Sequence, residues 1–186
     1  ELCTLHFQKE NTIDNITSTI LFGDGCAAVL MQNNSNEKGI SINNFFSQVA
    51  FKGKADMAWN LSAKGFLMTL SGYVPNLVEQ DFDNLVNKAL QNSLLDKSEI
   101  THWCIHPGGK KILEAIEKSI LLPQGSLAHS YNVLKDYGNM SSPTILFVLQ
   151  NIFDELKGQR ENNKAKIFGA AFGPGLTMET FIASYD

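Results

Sequence analysis

The chain has 186 residues, of which 44% are hydrophobic and 18% are charged. This balance is typical of one globular domain, 1–186, and excludes a disordered, collagen-like or coiled-coil chain. The formal net charge of −4 offers no basic surface for nucleic acid, and no apolar run reaches the roughly 18 residues of a membrane span.

The N-terminal segment predicts a strand. Within 1–7, Cys3, Leu5 and Phe7 fall on one face and their neighbours on the other. Because a natural protein rarely begins inside a core strand, we expect the chain to be the C-terminal piece of a longer protein. A Gly-Asp-Gly turn at 23–25 then leads into an apolar run of strand length at 26–31.

After a polar loop at 33–38, strand and helix patterns alternate. The predicted elements are strands within 40–51 and 55–70, a helix over 76–94, a strand over 100–105, helices over 110–120, 127–136 and 143–156, and strands over 165–172 and 176–183. Ser141 or Ser142 is expected to cap the helix that begins at Pro143. The pattern predicts the α/β class, with a mixed sheet between helical layers.

His106 ends an apolar strand and precedes a Pro-Gly-Gly turn into a helix. Ligands of α/β folds gather at the carboxyl ends of strands, where helix N-termini offer free N–H groups. Two glycines at this point allow a ligand to approach the backbone closely. The alternative is a histidine that only caps the strand by bonding to backbone.

Asn139 lies just ahead of the long helix, in a Tyr-Gly-Asn-Met-Ser-Ser-Pro segment. Taken alone, an asparagine there is more often an Asx-type cap. A side-chain amide beside a helix start can also donate to an oxyanion, and that role gains weight if His106 converges on it.

Three potential metal ligands, His102, Cys104 and His106, alternate on one strand. Alternate strand residues stand about 6.6 Å apart, so that one ion could take only two adjacent ligands and would need others from elsewhere. The same spacing argues against a direct Cys104–His106 nucleophile–base bond.

The chain has three cysteines, Cys3, Cys26 and Cys104, which cannot all pair in disulfides. This number favours free thiols in a reducing, cytoplasmic compartment.

Four motifs together resemble the C-terminal half of type III polyketide synthases, the chalcone synthase-like branch of the thiolase fold. They are Leu-Phe-Gly-Asp-Gly-Cys-Ala-Ala-Val at 21–29, Ile-His-Pro-Gly-Gly at 105–109, Tyr-Gly-Asn-Met-Ser-Ser at 137–142 and Phe-Gly-Pro-Gly-Leu-Thr-Met-Glu at 172–179. Taken singly, the glycine-rich segments follow neither a P-loop nor a GxGxxG pattern and indicate only turns. The resemblance implies a thiolase-like layered α/β/α fold of two similar halves, of which this chain is the second.

The resemblance also implies an acyltransferase that loads an acyl-CoA starter on a cysteine and extends it with malonyl-CoA. His106 and Asn139 occupy the His and Asn positions of the family's Cys–His–Asn triad. The nucleophilic cysteine lies in the other half, upstream of Glu1, and none of the three cysteines here matches it. The family works as a homodimer and needs no metal or organic cofactor.

Other site residues follow from the resemblance, although plain core packing is the alternative for each. Phe22 matches an aromatic gatekeeper, Met68 replaces a second Phe, and Ser141 matches a serine beside the triad. The remaining implied residues are Cys3, His6, Trp59, Phe172 and Gly173 at the substrate cavity, and Gly108, Gly109 and Lys111 at the CoA arm.

Several of these positions depart from the plant enzymes. Cys3 and His6 replace threonines, and Trp59 replaces a glycine. These departures favour fatty acyl-CoA starters, with pyrone or resorcinol products, over a chalcone-forming specificity. Two alternatives stay open: a ketoacyl synthase III-like enzyme, which depends on an acyl carrier protein and extends once, and a non-catalytic scaffold or dimerisation module.

Overall fold

The computed structural model describes residues 1–9, 11–33, 38–63, 65–159 and 164–185, and the statements below concern these residues. Besides short 3₁₀ turns at Cys3–His6, Phe51–Gly53 and Lys97–Glu99, the chain forms helices and strands. They are α1 (Ile13–Leu21), β1 (Ile40–Val49), β2 (Met57–Ser62), β3 (Gly65–Leu70), α2 (Val74–Asn92), β4 (His102–Ile105), α3 (Lys110–Ser119), α4 (Ala128–Tyr137), α5 (Pro143–Gly158), β5 (Ala165–Gly173) and β6 (Thr177–Tyr185).

Four strands form a mixed sheet in the order β1-β6-β5-β4. Strand β6 pairs antiparallel with both β1 and β5, whereas β4 pairs parallel with β5. Strands β2 and β3 form a separate antiparallel hairpin. The predicted mixed sheet is therefore confirmed, and with it the α/β class.

Helices cover both faces of this sheet because side chains alternate along each strand. On β4, Trp103 and Ile105 join the core beneath α2 and α3, while Cys104 joins the core beneath α5. On β5, Phe168 joins the core beneath α2 and α3, and Ile167 joins the core beneath α5. Burying one such side chain contributes about 1.5–3 kcal/mol, so two filled cores hold the layers together.

The helices from residue 74 onward follow the predicted spacing of apolar residues. Along α2, Val78, Phe82, Leu85 and Ala89 recur every three or four residues, and all are buried. Helix α5 begins at Pro143 as expected, but neither Ser141 nor Ser142 caps it through its side chain. Instead, the Thr144 hydroxyl accepts a hydrogen bond from the Met140 amide at 2.8 Å and secures the preceding loop.

The strands predicted for 1–7 and 26–31 are wrong. Residues 3–6 form a 3₁₀ turn, and 26–31 have no regular structure. A strand needs a neighbour to accept and donate its backbone hydrogen bonds, and no strand of the described chain pairs with either segment. The first segment lies instead along 23–25, where the Thr4 amide donates to the Asp24 carboxylate at 2.9 Å.

Helix α1 was not predicted. Its N-terminal signal is Thr12, whose hydroxyl accepts from the Asn15 amide, with Asp14 in the first turn. Ile13 and Ile20 on this helix remain largely exposed. Of the polar loop predicted at 33–38, residues 34–37 lie outside the described residues. Among the helices in the described ranges, none combines the length and the apolar content needed to cross a bilayer.

Candidate active site

A cavity of about 910 Å³ opens at the carboxyl end of β4, between the β2–β3 hairpin, α1 and the starts of α3 and α5. It brings together most of the residues singled out from the sequence. Those that line it are Phe22, Trp59, Met68, His106, Gly108, Gly109, Lys111, Asn139, Ser141, Phe172 and Gly173. Segments far apart in the sequence thus meet at one site.

His106 directly follows β4 and is fixed there through the backbone. Its amide donates to the Ala170 carbonyl at 2.8 Å, and the buried Ser130 hydroxyl donates to the preceding carbonyl, that of Ile105, at 2.6 Å. The ring makes no hydrogen bond with any described residue, so it does not cap the strand. Burial lowers the pKa of the His106 imidazole to about 4, which keeps the ring neutral near pH 7.

Asn139 lies on the loop between α4 and α5 and is 4% exposed. Its Oδ1 accepts from the Ser141 amide at 2.8 Å, as an Asx-type turn does. Its Nδ2 donates to the Gly108 carbonyl at 3.3 Å. A primary amide carries two N–H donors, so one remains for a ligand. Because Gly108 lies two residues after His106, this contact joins the two predicted catalytic segments.

The Asn139 loop docks on the segment that follows α1. The Asn139 amide donates to the Leu21 carbonyl at 3.0 Å, and the Gly23 amide donates to the Asn139 carbonyl at 2.9 Å. A Cβ on Gly23 would stand 2.9 Å from the Tyr137 carbonyl oxygen, and one on Gly138, whose φ is +72°, would stand 3.0 Å from the Leu21 carbonyl oxygen. Only glycine permits this approach, so the glycine motif at 23–25 positions Asn139. Taken singly, the glycine motif at 23–25 indicated only a turn, and its contact with the Asn139 loop was not predicted.

A second cavity of about 320 Å³ lies beyond the first. Cys3 and His6 line it, and the His6 ring packs against Trp59 with ring centroids 5.3 Å apart. Four side chains line both cavities and form the wall between them: Phe22, Trp59, Met68 and Ser141. Ser141 adopts a φ of +61°, a conformation that residues other than glycine rarely take and that is common at functional sites.

The opposite side of the larger cavity is formed by the start of α3. A helix N-terminus leaves its first N–H groups without intrahelical acceptors and attracts anions. Here Gly108 and Gly109 precede the helix, Lys110 pairs with Glu114 at 3.6 Å, and Lys111 makes no ion pair with any described residue. The arrangement suits a phosphate-bearing ligand.

Phe172 and Gly173 lie where β5 ends. The Phe172 ring stands 6.0 Å from that of Phe82, so Phe172 belongs to the core as well as to the cavity wall. A Cβ on Gly173 would come within 2.7 Å of the Thr177 hydroxyl, so a larger residue there requires the Thr177 side chain to move.

None of the three cysteines lines the cavity that contains His106 and Asn139. Cys104 is fully buried, its thiol points to the Ile145 carbonyl, and burial raises its pKa. Burial, with the nearby Glu1 and Asp24 carboxylates, also raises the pKa of Cys3. Over the ranges that the structure describes, no three His, Cys, Asp or Glu side chains are arranged to hold a metal ion.

Comparison with known proteins points to one family. Residues 42–184 match the model of the C-terminal domain of chalcone and stilbene synthases. A chalcone synthase homologue of Bacillus subtilis (strain 168) is 32% identical over 194 residues, covering 100% of this chain and 52% of that protein. The alpha-pyrone synthesis polyketide synthase-like protein Pks18 of Mycobacterium tuberculosis (strain H37Rv) is 29% identical, covering 96% of this chain and 46% of its own.

A solved structure agrees with these matches. The 1,3,6,8-tetrahydroxynaphthalene synthase of Streptomyces coelicolor A3(2), a bacterial type III polyketide synthase, superposes with a TM-score of 0.89 at 25% identity. The superposition covers 99% of this chain and 52% of that one. The chain therefore spans about half the length of the proteins that it matches.

Proposed function

The chain belongs to the chalcone and stilbene synthase family of type III polyketide synthases and forms the C-terminal half of its thiolase-like fold, and from this we propose that it supplies the acid–base and oxyanion groups of a polyketide-forming condensation. The observation that carries the proposal is the single cavity lined by His106, Asn139 and the start of α3. The substrates would be an acyl-CoA starter and malonyl-CoA.

In the proposed reaction, the family's nucleophilic cysteine, contributed by an N-terminal half, holds the starter as a thioester. Loss of CO₂ from malonyl-CoA breaks a C–C bond and leaves its electron pair in the enolate of acetyl-CoA. The enolate carbon attacks the acyl thioester carbonyl, a new C–C bond forms, and the cysteine sulfur leaves as thiolate. Each round therefore adds two carbons and one ketone to the chain.

Both chemical steps place negative charge on a thioester oxygen. A neutral His106 donates through one ring N–H, and Asn139 donates through the Nδ2–H that Gly108 does not use. Such preorganised donors in a water-poor pocket are worth on the order of 10²–10³ in rate each.

The same histidine would also activate the nucleophile. No described carboxylate contributes to the pKa of His106, for which burial is the cause of the shift. A cysteine placed beside the ring would change this, because thiolate and imidazolium stabilise each other. We therefore expect the ion pair to form only when the two halves are together.

The rest of the cavity supports the assignment of the substrates. Lys111, Gly108 and Gly109 would contact the CoA arm at the start of α3, while Phe22 and Met68 would separate that arm from the inner cavity. The flexible Met68 side chain suits an aliphatic chain better than a rigid aromatic ring. On this ground we favour fatty acyl starters and pyrone or resorcinol products, and the name of the Pks18 relative, which refers to alpha-pyrone synthesis, agrees with a pyrone.

The partners follow from the same proposal. The apolar side chains that the first 33 residues expose, Ile13, Leu30 and Met31 among them, would be covered by the N-terminal half. We further propose a homodimer that works in the cytoplasm without a metal or organic cofactor.

The test is an assay of the longer protein that joins this chain to its N-terminal half. It should consume malonyl-CoA and release polyketides longer than one extension, identified by mass, from free CoA thioesters. A single extension that requires an acyl carrier protein would assign it to the ketoacyl synthase III type instead. No consumption of malonyl-CoA would leave only a scaffold role.

A further inference from the structure

Ser18 carries an unusual hydroxyl group. The residue is 8% exposed, and its Oγ is the one buried side-chain nitrogen or oxygen without a hydrogen-bond partner in the described part of the chain. Leaving a buried hydroxyl unpaired costs about 1–3 kcal/mol. Native proteins seldom leave such a group unpaired, so it calls for a partner such as a water molecule, an ion or a ligand.

The helix offers Ser18 a partner that it does not use. A helical Ser or Thr commonly donates to the carbonyl four residues earlier. Thr19 does so, with its hydroxyl 2.8 Å from the Asn15 carbonyl oxygen. The matching acceptor for Ser18 is the Asp14 carbonyl, and that bond is absent among the described residues.

Ser18 lines the smaller cavity instead. Four residues later, Phe22 directly follows α1 and lines both cavities. Around it, Phe22, Trp59 and Met68 supply apolar surface, while the raised pKa of Cys3 keeps that thiol uncharged. Glu1, Gln8 and Asn15 also line this cavity, so it suits a carbon chain that is mainly apolar but carries oxygen atoms.

Resting on the proposed function, we infer that Ser18 is a specificity-determining residue for the growing chain. Rotation about χ1 turns its hydroxyl into the smaller cavity, where it donates to a ketone oxygen of the β-keto chain that enters there. Whatever the starter, each extension adds one such oxygen, and an unextended alkyl chain has none at that position. Ser18 therefore favours extended intermediates over saturated chains of equal length.

The experiment compares two thioesters of N-acetylcysteamine that differ at one carbon: acetoacetyl, which has the ketone, and butanoyl, which has CH₂. Each is titrated into the chain while the indole N–H signal of Trp59, in the cavity wall, is followed by NMR. The buried Trp103 indole serves as the internal reference. We expect the acetoacetyl thioester to bind roughly 2- to 10-fold more tightly, the range that one neutral hydrogen bond provides.

Ser18→Ala should bring the ratio of the two dissociation constants close to one without lowering the stability of the chain, because it removes an unpaired group. Thr19→Ala, the matched control one residue away, should leave the ratio unchanged. An unchanged ratio in Ser18→Ala, or no preference in the wild-type chain, would overturn the inference. Since this titration involves no condensation, failure of the longer protein to form polyketides would refute the proposed function and leave the Ser18 result standing.

Discussion

Residues 40–185 and residues 1–33 bury their apolar side chains to very different extents. In the later region, Val78 and Phe168 are fully buried, whereas in the earlier one Leu30 is 91% and Ile13 83% exposed. The later region forms a four-stranded sheet with a core on each face. The earlier region contributes no apolar residue to the buried core of the described chain, so the two regions differ in how fully they are packed.

The two regions nevertheless meet at the candidate site. The Asn139 loop of the later region is fixed by backbone hydrogen bonds to Leu21 and Gly23 of the earlier one. Phe22 adds a wall to both cavities. The groups assigned to acid–base chemistry therefore depend on a region that is itself incompletely packed.

The chain by itself should have no condensing activity. It contains His106 and Asn139, but none of its cysteines lines their cavity, so we predict no condensation with malonyl-CoA and a panel of acyl-CoA starters. Product mass spectrometry gives the measurement. An acyl adduct on Cys3, Cys26 or Cys104 that turns over would show that the chain does not need an N-terminal half.

Acid should destabilise the chain through His106. Its pKa is about 4 when folded and 6.5 as the reference value. Above pH 6.5 the ring is neutral in both the folded and the unfolded chain, and its contribution to the free energy of unfolding is fully present. As pH falls from 6.5 to 4, only the unfolded chain binds the proton, so stability is lost, by up to about 3 kcal/mol.

Urea unfolding across this window measures the effect, and His106→Gln should flatten the dependence. His102→Gln provides the comparison: burial lowers the pKa of His102 too, but Glu155 opposes the shift, so its share should be smaller. An equal slope in His106→Gln and the wild type would mean that His106 is accessible to protons in the folded chain.

Gly23→Ala should break the contact between the two regions. The added Cβ would meet the Tyr137 carbonyl oxygen at 2.9 Å, and overpacking of this kind costs about 1–3 kcal/mol. The NMR signals of the Asn139 side-chain amide should shift with it. Gly39→Ala, where a Cβ meets nothing within 4 Å, is the control. It should leave both the free energy of unfolding and the Asn139 amide signals unchanged. Equal behaviour of the two variants would argue that the Asn139 loop does not rely on Gly23.

The smallest expected effect concerns the starter. Trp59 and Met68 are paired across the β2–β3 hairpin, and both line the cavity wall. The cavity remains open beside them. In the longer protein, kcat/KM should favour aliphatic acyl-CoAs over p-coumaroyl-CoA by a few-fold. Replacing Met68 with Phe should reduce that preference. A clear preference for p-coumaroyl-CoA with a chalcone as main product would contradict the substrate assignment and leave the family unaffected.

The helices and strands of the later region could be predicted from the sequence because the signals that specify them are local. The spacing of Val78, Phe82 and Leu85 identifies helix α2 without knowledge of its partner. Segment 26–31 shows the limit: an apolar run specifies a strand only where another strand is available to pair. Helix α1 was not predicted, although Thr12 and Asp14 mark its start and Ile13, Ile16 and Ile20 recur at helical spacing.

The residues of the candidate site also fall into two groups: those that local sequence signals identify and those that only the tertiary structure identifies. His106 and Asn139 stand out through the strand end and helix start beside them. The function of Gly23 and Ser18 depends on which segments pack together, and that is a property of the tertiary structure.

The proposed function requires His106 and Asn139 to act on the same oxygen. A double-mutant cycle on malonyl-CoA decarboxylation by the longer protein tests it most directly, with His106→Gln, Asn139→Ala and the pair. We predict that each single change lowers kcat by on the order of 10²–10³, and that the double variant is little slower than the slower single one, as for groups that act as a unit. Losses that multiply, or a single variant with wild-type kcat, would contradict the claim.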